Sequence, residues 1–374
     1  MNSRKCSLHG WFVLYLGGLA AKWIVGLLVL MASFSLAAEE RGWAFVSLAD
    51  ENRVAVYSVI ADPIPRLTLV SFCSVSGDAG SQFFDQSRSV LYLGLRNAGE
   101  IVALKFHREK GVLTAIDQMK VDRDPAYLRL DGSQNWLLAA YYATGRVSCC
   151  GIDQEGRFDR KSLSWVSTAR CAHAIICDRS NRFLFVPHTG PNSIFQFRFD
   201  SKTGKLSGNE PARLSFPSNT GPRHIVAHPT ETDVFFVLNE QASSLTHLQM
   251  NRKTGLLNSI RSVSTLPGDF AGNNSCSDLE ISKDGRFLYG ANRGHDSIAV
   301  FEYSMQTGLK RTGLFPTEKT PRQFALSTKG EYLIAAGQGS NQLAVYQVKA
   351  SNGFLKRTGT IPTGRKPWWV SIVD

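Results

Sequence analysis

Asp278-Leu279-Glu280-Ile281-Ser282, Arg286-Phe287-Leu288-Tyr289-Gly290 and Ser297-Ile298-Ala299-Val300-Phe301-Glu302-Tyr303 are three strand-like runs. The polar turns Lys283-Asp284-Gly285 and Asn292-Arg293-Gly294 separate them, giving strand, hairpin, strand, hairpin, strand with a weaker outer strand to follow. The glycine of Asp284-Gly285 supplies a position that tolerates positive φ, which a tight hairpin needs. Asp131-Gly132 and Lys329-Gly330 are turns of the same kind.

The central phrase of this unit recurs along the chain. It appears at Gly42-Trp43-Ala44-Phe45-Val46, Ser89-Val90-Leu91-Tyr92-Leu93, Asn135-Trp136-Leu137-Leu138-Ala139 and Arg182-Phe183-Leu184-Phe185-Val186. It returns at Asp233-Val234-Phe235-Phe236-Val237, Arg286-Phe287-Leu288-Tyr289-Gly290 and Glu331-Tyr332-Leu333-Ile334-Ala335. The starts step by 47, 46, 47, 51, 53 and 45 residues, room for one four-stranded sheet and its turns. Seven such units read as an all-β, seven-bladed β-propeller. A β-sandwich would not need seven equivalent phrases.

The ends of the chain supply the closure. Lys366-Pro367-Trp368-Trp369-Val370-Ser371-Ile372-Val373 matches the first strand of a unit, as Thr320-Pro321-Arg322-Gln323-Phe324-Ala325-Leu326 does, yet nothing follows it. The unit at Trp43 lacks that first strand. One blade is therefore expected to combine the two termini, leaving the ring without an open edge. The expected domain runs from residue 39 to 374, uninterrupted by any linker-like block.

Residues 1–38 read as a targeting segment. Arg4 and Lys5 precede an apolar stretch split by Lys22, and the uncharged run Ile24 to Ala38 ends in small residues before Glu39-Glu40. A signal peptide and a periplasmic or secreted protein are expected. The alternatives are an uncleaved anchor, which alone would bring membrane contact, or an over-long gene start and a cytoplasmic protein. The Ile24 to Ala38 run is short for a membrane span, which needs about 20 residues.

The formal charge of +11 falls to +8 without Arg4, Lys5 and Lys22. That balance favours small anions, but no long Lys/Arg run and no aromatic-plus-basic platform points to nucleic acid. Cys73, Cys149, Cys150, Cys171, Cys177 and Cys276 match no common zinc spacing. They read as buried small side chains, with one disulfide open to an exported form, and Cys149 and Cys150 are expected on opposite faces of a strand.

Polar residues at strand edges carry the chemistry. Cys171-Ala172-His173-Ala174, Gly221-Pro222-Arg223-His224, Leu238-Asn239-Glu240 and Ala291-Asn292-Arg293-Gly294-His295-Asp296 lie at such edges in blades four to six. In a propeller these edges meet across one mouth of the central channel.

These phrases resemble the lactonase propeller family, which includes seven-bladed bacterial 6-phosphogluconolactonases and fungal carboxymuconate-cyclising enzymes. The resemblance also rests on His228-Pro229, Asp284-Gly285-Arg286-Phe287-Leu288-Tyr289, Pro321-Arg322 and Gly337-Gln338, and it covers residues 41 to 374. It implies hydrolysis of a sugar-acid lactone in a pocket built from His173, Arg223, Glu240 and Arg293. Such hydrolysis needs a base for water, charge stabilisation for the oxyanion and a proton for the departing ring oxygen. Glu240 or His173 can serve as base. Arg223 and Arg293, with His224 and His295 beside them, are expected to bind an anionic substituent or the oxyanion, since the arginine fork suits carboxylate and phosphate. The histidines lack the spacing of a metal motif, so no metal and no cofactor is expected. The expected partner is a small anionic or sugar-derived lactone.

The chain departs from the family at three places. His188 stands where relatives commonly have Asp, Asn192-Ser193 where they have Asp-Arg, and Glu280 where they often have His. Two further readings follow: a muconate-type cycloisomerase, from the family's other branch, and a periplasmic binding propeller that no longer catalyses.

Overall fold

Each repeated phrase becomes the second strand of a blade. A computed structural model describes residues 42–374, where seven four-stranded antiparallel sheets carry the chain. The targeting segment expected over residues 1–38 lies outside the described residues. No helix among the described residues is long and apolar enough to cross a membrane.

Blade 1 combines Pro367–Val373 with Gly42–Leu48, Arg53–Ile60 and Arg66–Ser74, in that order across the sheet. Trp43 stands opposite Val373 and Val46 opposite Val370, the closure expected from the orphan strand. Blades 2 to 7 begin with the innermost strands Ala79–Asp85, Pro125–Leu130, Ile176–Cys177, Pro222–Ala227, Ser275–Ile281 and Pro321–Leu326, and each then runs outward in chain order.

The second strands are apolar at successive positions because blades cover both of their faces. In Gly42–Leu48, Trp43 and Phe45 pack with Leu91, Leu93 and Phe106 of blade 2, whereas Ala44, Val46 and Leu48 pack with Tyr332 and Ile334 of blade 7. The Phe45 and Phe106 rings meet edge-to-face at 4.8 Å. Cys149 and Cys150 divide in the same way, one packing with Leu184 and the other with Tyr92. All six cysteines among the described residues are free thiols.

The turns between first and second strands are tied by their own side chains. Asp131 Oδ1 accepts from the amides of Asn135 and Trp136 at 3.0 and 2.9 Å, and Asp178 Oδ1 accepts from those of Arg182 and Phe183 at 2.8 Å each. These carboxylates satisfy amides that the tight turns would otherwise leave unpaired. At the outer hairpins, glycine is required for space as well as for φ. Gly255 has φ +73°, and a Cβ there would lie 2.1 Å from Cδ1 of Phe183. Gly255→Ala is therefore expected to cost about 1–3 kcal/mol through overpacking and backbone strain together. A calorimetric melt showing no loss would contradict this packing.

One backbone device places the functional residues. Asp124, Gly221, Thr320 and Lys366 have φ of 61°, 64°, 54° and 54°, and each is followed by a proline that opens an innermost strand. The ladder then skips a residue. Pro222 pairs with Asn239 but His224 with Leu238, leaving Arg223 as a bulge, and Ala126, Arg322 and Trp368 are skipped in the same way. A bulge re-aims a side chain without disturbing the strand beyond it.

Candidate functional site

Bulges from the innermost strands and the residues that follow the second strands meet around a cavity of about 240 Å³. The bulges contribute Ala126, Arg223, Arg322 and Trp368, while Arg96, Tyr142, Glu240 and Arg293 come from equivalent places at the ends of second strands in blades 2, 3, 5 and 6. His173 and His224 complete the polar wall.

Glu240 is shared by two arginines. Its Oε1 accepts from Arg293 Nη2 at 2.8 Å and its Oε2 lies 3.0 Å from Arg223 Nε. Arg293 is further held by the Cys276 carbonyl at 2.9 Å. Burial pushes the Glu240 pKa up, but Arg223 and Arg293 outweigh it and hold the carboxyl below its ordinary value. Burial draws Arg223 down to about 10, and its Nη1 is buried with no protein partner.

Arg322 stacks 3.7 Å from the centre of the Trp368 ring, with Arg96 at 4.2 Å. Arg96 is paired with Asp124 at 2.6 Å, whereas no ion pair of Arg322 occurs among the described residues. Burial, then Arg223, Arg293 and Arg96, lower the Arg322 pKa well below its usual value. Four guanidiniums thus face one carboxylate in the lining. A cavity with that excess of positive charge attracts anions.

Both histidines of the wall are neutral near pH 7. Burial, with Arg223 and His224 next, puts His173 well below 6.5, and its Nδ1 is buried without a hydrogen-bond partner. Its amide is fixed to the Pro187 carbonyl at 3.0 Å. Burial and Arg223 bring His224 down to about 4, against the pull of Asp278. The two rings meet edge-to-face with centroids 5.3 Å apart.

The structure thus brings His173, Arg223, His224, Glu240 and Arg293 together, as their strand-edge positions suggested. His295 is not among the cavity-lining residues. It belongs to the turn after Arg293, where its Nδ1 is 2.9 Å from Ser297 Oγ and its ring packs on Phe270 at 4.8 Å. Sequence reasoning left Arg96, Tyr142, Arg322, Trp368 and Trp369 out of the site. The signals were present: Pro321-Arg322 and Pro367-Trp368 repeat Pro222-Arg223, and Arg96 and Tyr142 occupy the place of Glu240 in their own blades.

The departures at blade 4 fall outside the cavity lining. His188 is fully buried, bonded to the Val186 carbonyl at 2.8 Å and to Thr168 Oγ1 at 2.9 Å. Asn192 Oδ1 accepts from the Gly221 amide at 2.8 Å and so supports the turn that presents Arg223. Among the described residues no group of three or more His, Cys, Asp and Glu side chains is arranged to hold a metal ion.

A closed ring of seven four-stranded blades around a charged cavity defines a seven-bladed propeller. The chain belongs to the lactonase family of seven-bladed β-propellers, whose model matches residues 46–372. It is 30% identical over 329 residues to a 6-phosphogluconolactonase of Klebsiella pneumoniae (strain 342), covering 88% of this chain and 98% of that one. A 6-phosphogluconolactonase of Enterobacter sp. (strain 638) is 30% identical over 307 residues, 82% and 92% of the two chains. In fold the chain is similar to the periplasmic gluconolactonase of Pseudomonas aeruginosa, with a TM-score of 0.81 at 21% identity over 90% of this chain and 99% of that one.

Proposed function

We propose that the protein hydrolyses a sugar-acid lactone, phosphorylated or not, after export from the cytoplasm. The observation that carries the reading is the Arg223–Glu240–Arg293 cluster beside two neutral histidines in one cavity. Lactone opening develops negative charge on the carbonyl oxygen, and guanidiniums held in place before reaction stabilise it without reorganising. The names of the curated relatives support the substrate class, and the periplasmic structural neighbour agrees with an exported protein.

Within this reading Glu240 is a poor base, because both of its oxygens already serve arginines that depress its basicity. It acts instead by fixing the two guanidiniums. His173, whose Nδ1 has no protein partner, is the better placed of the two acid–base candidates to engage the reacting water or carbonyl. Guanidiniums take the carbonyl-polarising role, so turnover is expected to survive dialysis against EDTA. Loss of activity that Ca²⁺ or Zn²⁺ restores would contradict this.

The deciding assay is acid release from gluconolactone and 6-phosphogluconolactone above their spontaneous hydrolysis. Turnover of neither would leave the binding-propeller reading, and product analysis on muconate-type substrates would test cyclisation. The buried place of His188 favours catalysis over a binding module, since the altered residue does not enter the cavity lining.

The pH dependence follows from the neutral histidines. They are competent unprotonated, and both pKa values lie below the ordinary histidine value, at about 4 for His224. The profile of kcat/KM is therefore expected to stay flat from pH 7 into the acidic range, falling only where these histidines gain protons. A limb centred at or above pH 6.5 would assign the acid–base role elsewhere.

A further inference from the structure

We propose that His224, oriented by Asp278, is the general base of this site, taking the proton of the attacking water at Nε2 and returning it to the departing ring oxygen. The inference rests on the lactonase reading and adds the residue that moves the proton.

Asp278 lies in the bulge of the innermost strand of blade 6, where Cys276 pairs with Asn292 and the next paired residue is Leu279. Its carboxylate is 3% exposed and joins three blades. Oδ1 accepts from His224 Nδ1 of blade 5 at 2.6 Å, and Oδ2 accepts from the Phe324 amide of blade 7 at 3.1 Å. With a donor on each oxygen, the carboxylate fixes His224 as the Nδ1–H tautomer, and the lone pair must lie on Nε2.

Glu280 follows two residues on in the same strand. Burial, and next the Asp278 charge, push the Glu280 carboxyl up to about 8.

His224 Nε2 is buried, has no hydrogen-bond partner, and belongs to a residue that lines the cavity. An imidazole with one nitrogen tied to a buried carboxylate and the other uncommitted is the base-and-orienter half of a hydrolytic triad. Here the nucleophile is water. The groups around the ring are Asp278, His173, Tyr127, Arg223 and Arg322. Arg223 and Arg322 disfavour the imidazolium, and an anion bound between them would offset that penalty when the proton is transferred.

The step balances without a co-reactant. Water gives one proton to Nε2 as its oxygen bonds to the lactone carbonyl carbon, and the oxyanion is held by guanidinium. Collapse breaks the bond from that carbon to the ring oxygen, which takes the proton from Nε2. The product is the open hydroxy acid, and His224 is neutral again. His173, at 5.3 Å between ring centroids, is left to hydrogen-bond the water or the oxyanion.

His224→Asn tests this directly, because the asparagine amide can keep the bond to Asp278 while Nε2 is lost. With circular dichroism and melting temperature as fold controls, kcat is expected to fall about 10²–10⁴-fold with KM changed by less than about threefold, and the residual rate should lose its acidic limb. Asp278→Asn should lower kcat similarly and move the His224 proton to Nε2, read by ¹⁵N spectra of histidine-labelled protein. Should Asp278→Asn fail to fold, His224→Asn and the wild-type ¹⁵N spectrum decide alone. A folded His224→Asn protein with kcat within about threefold of wild type, or a wild-type His224 protonated at Nε2, overturns the proposal while leaving the lactonase reading intact. Absence of wild-type turnover on both lactones removes that reading and this proposal together.

Discussion

Glu240→Ala is expected to lower stability by about 3 kcal/mol and to remove most of the turnover, because it strips the shared carboxylate from two guanidiniums that stay buried. Arg223 is 2% exposed, and Glu240 is its ion-pair partner. Arg293 keeps the Ser275 and Cys276 carbonyls but loses its charged partner, and Arg322 adds a third positive charge nearby. For a domain of this size the melting temperature should drop by roughly 4 °C. The diagnostic is rescue by anions: phosphate or sulfate should raise the melting point of Glu240→Ala more than that of wild type, because an ion that binds only the folded state adds to its stability. Glu240→Gln separates the two roles considered for this residue. As holder of the arginines it should retain more stability and turnover than alanine, since the amide oxygen still accepts one guanidinium. As base it should lose turnover as fully as alanine does. A Glu240→Ala protein that melts with wild type and ignores added anion would overturn this account of the charge cluster.

The propeller was legible because its signal is repeated and local. A strand pressed between two blades must be apolar on both faces, so the Phe183–His188 and Val234–Asn239 strands stand out wherever they occur. The orphan strand at Pro367 was legible by the same logic. The site was legible only in part, because its chemistry depends on which residue the ladder skips. The Gly-Pro setting of Arg223 marks it in the sequence, and Arg322 follows Pro321 in the same bulge without that glycine to draw attention to it. His295 was drawn in by sitting two residues from Arg293, but the intervening Gly294, at φ +121°, turns the chain so that the ring binds Ser297 instead. The Asp278–His224 bond had no local signal at all, since its partners are 54 residues apart and meet only when neighbouring blades pack. Trp368 shows the limit of reading for fold alone: its segment reads as a closing strand, and the bulge also makes it the plate on which Arg96 and Arg322 stack.

That double role ties the C-terminal strand to both the closure of the ring and the site. Truncation after Arg365 is expected to leave no stably folded protein, judged by loss of the cooperative melt and by rapid proteolysis. The strand supplies the inner edge of blade 1 along Gly42–Leu48, with paired positions from Leu48 to Trp43. Its loss would open that edge to water and to other chains. It also removes Trp368, Val370 and Val373, each less than 10% exposed. At about 1.5–3 kcal/mol for each buried apolar side chain, their loss approaches the 5–15 kcal/mol that holds a typical domain together. A second effect lies at the site, where Arg96 and Arg322 would lose the ring between them. The two effects can be separated by Trp368→Leu, which keeps the strand and its apolar contact but removes the stacking surface. That variant should fold and weaken substrate binding, whereas the truncation should not fold at all. A chain permuted so that Asp374 runs through a two-residue turn into Gly42, and opened instead between Asp122 and Arg123, supplies the converse test. Val373 already stands opposite Trp43, so the new turn would complete an ordinary antiparallel hairpin, and this protein is expected to fold. A truncated protein that melts cooperatively near the wild-type temperature would show that blade 1 holds without its inner strand, and the closure would then lose its place as the seam on which the ring depends.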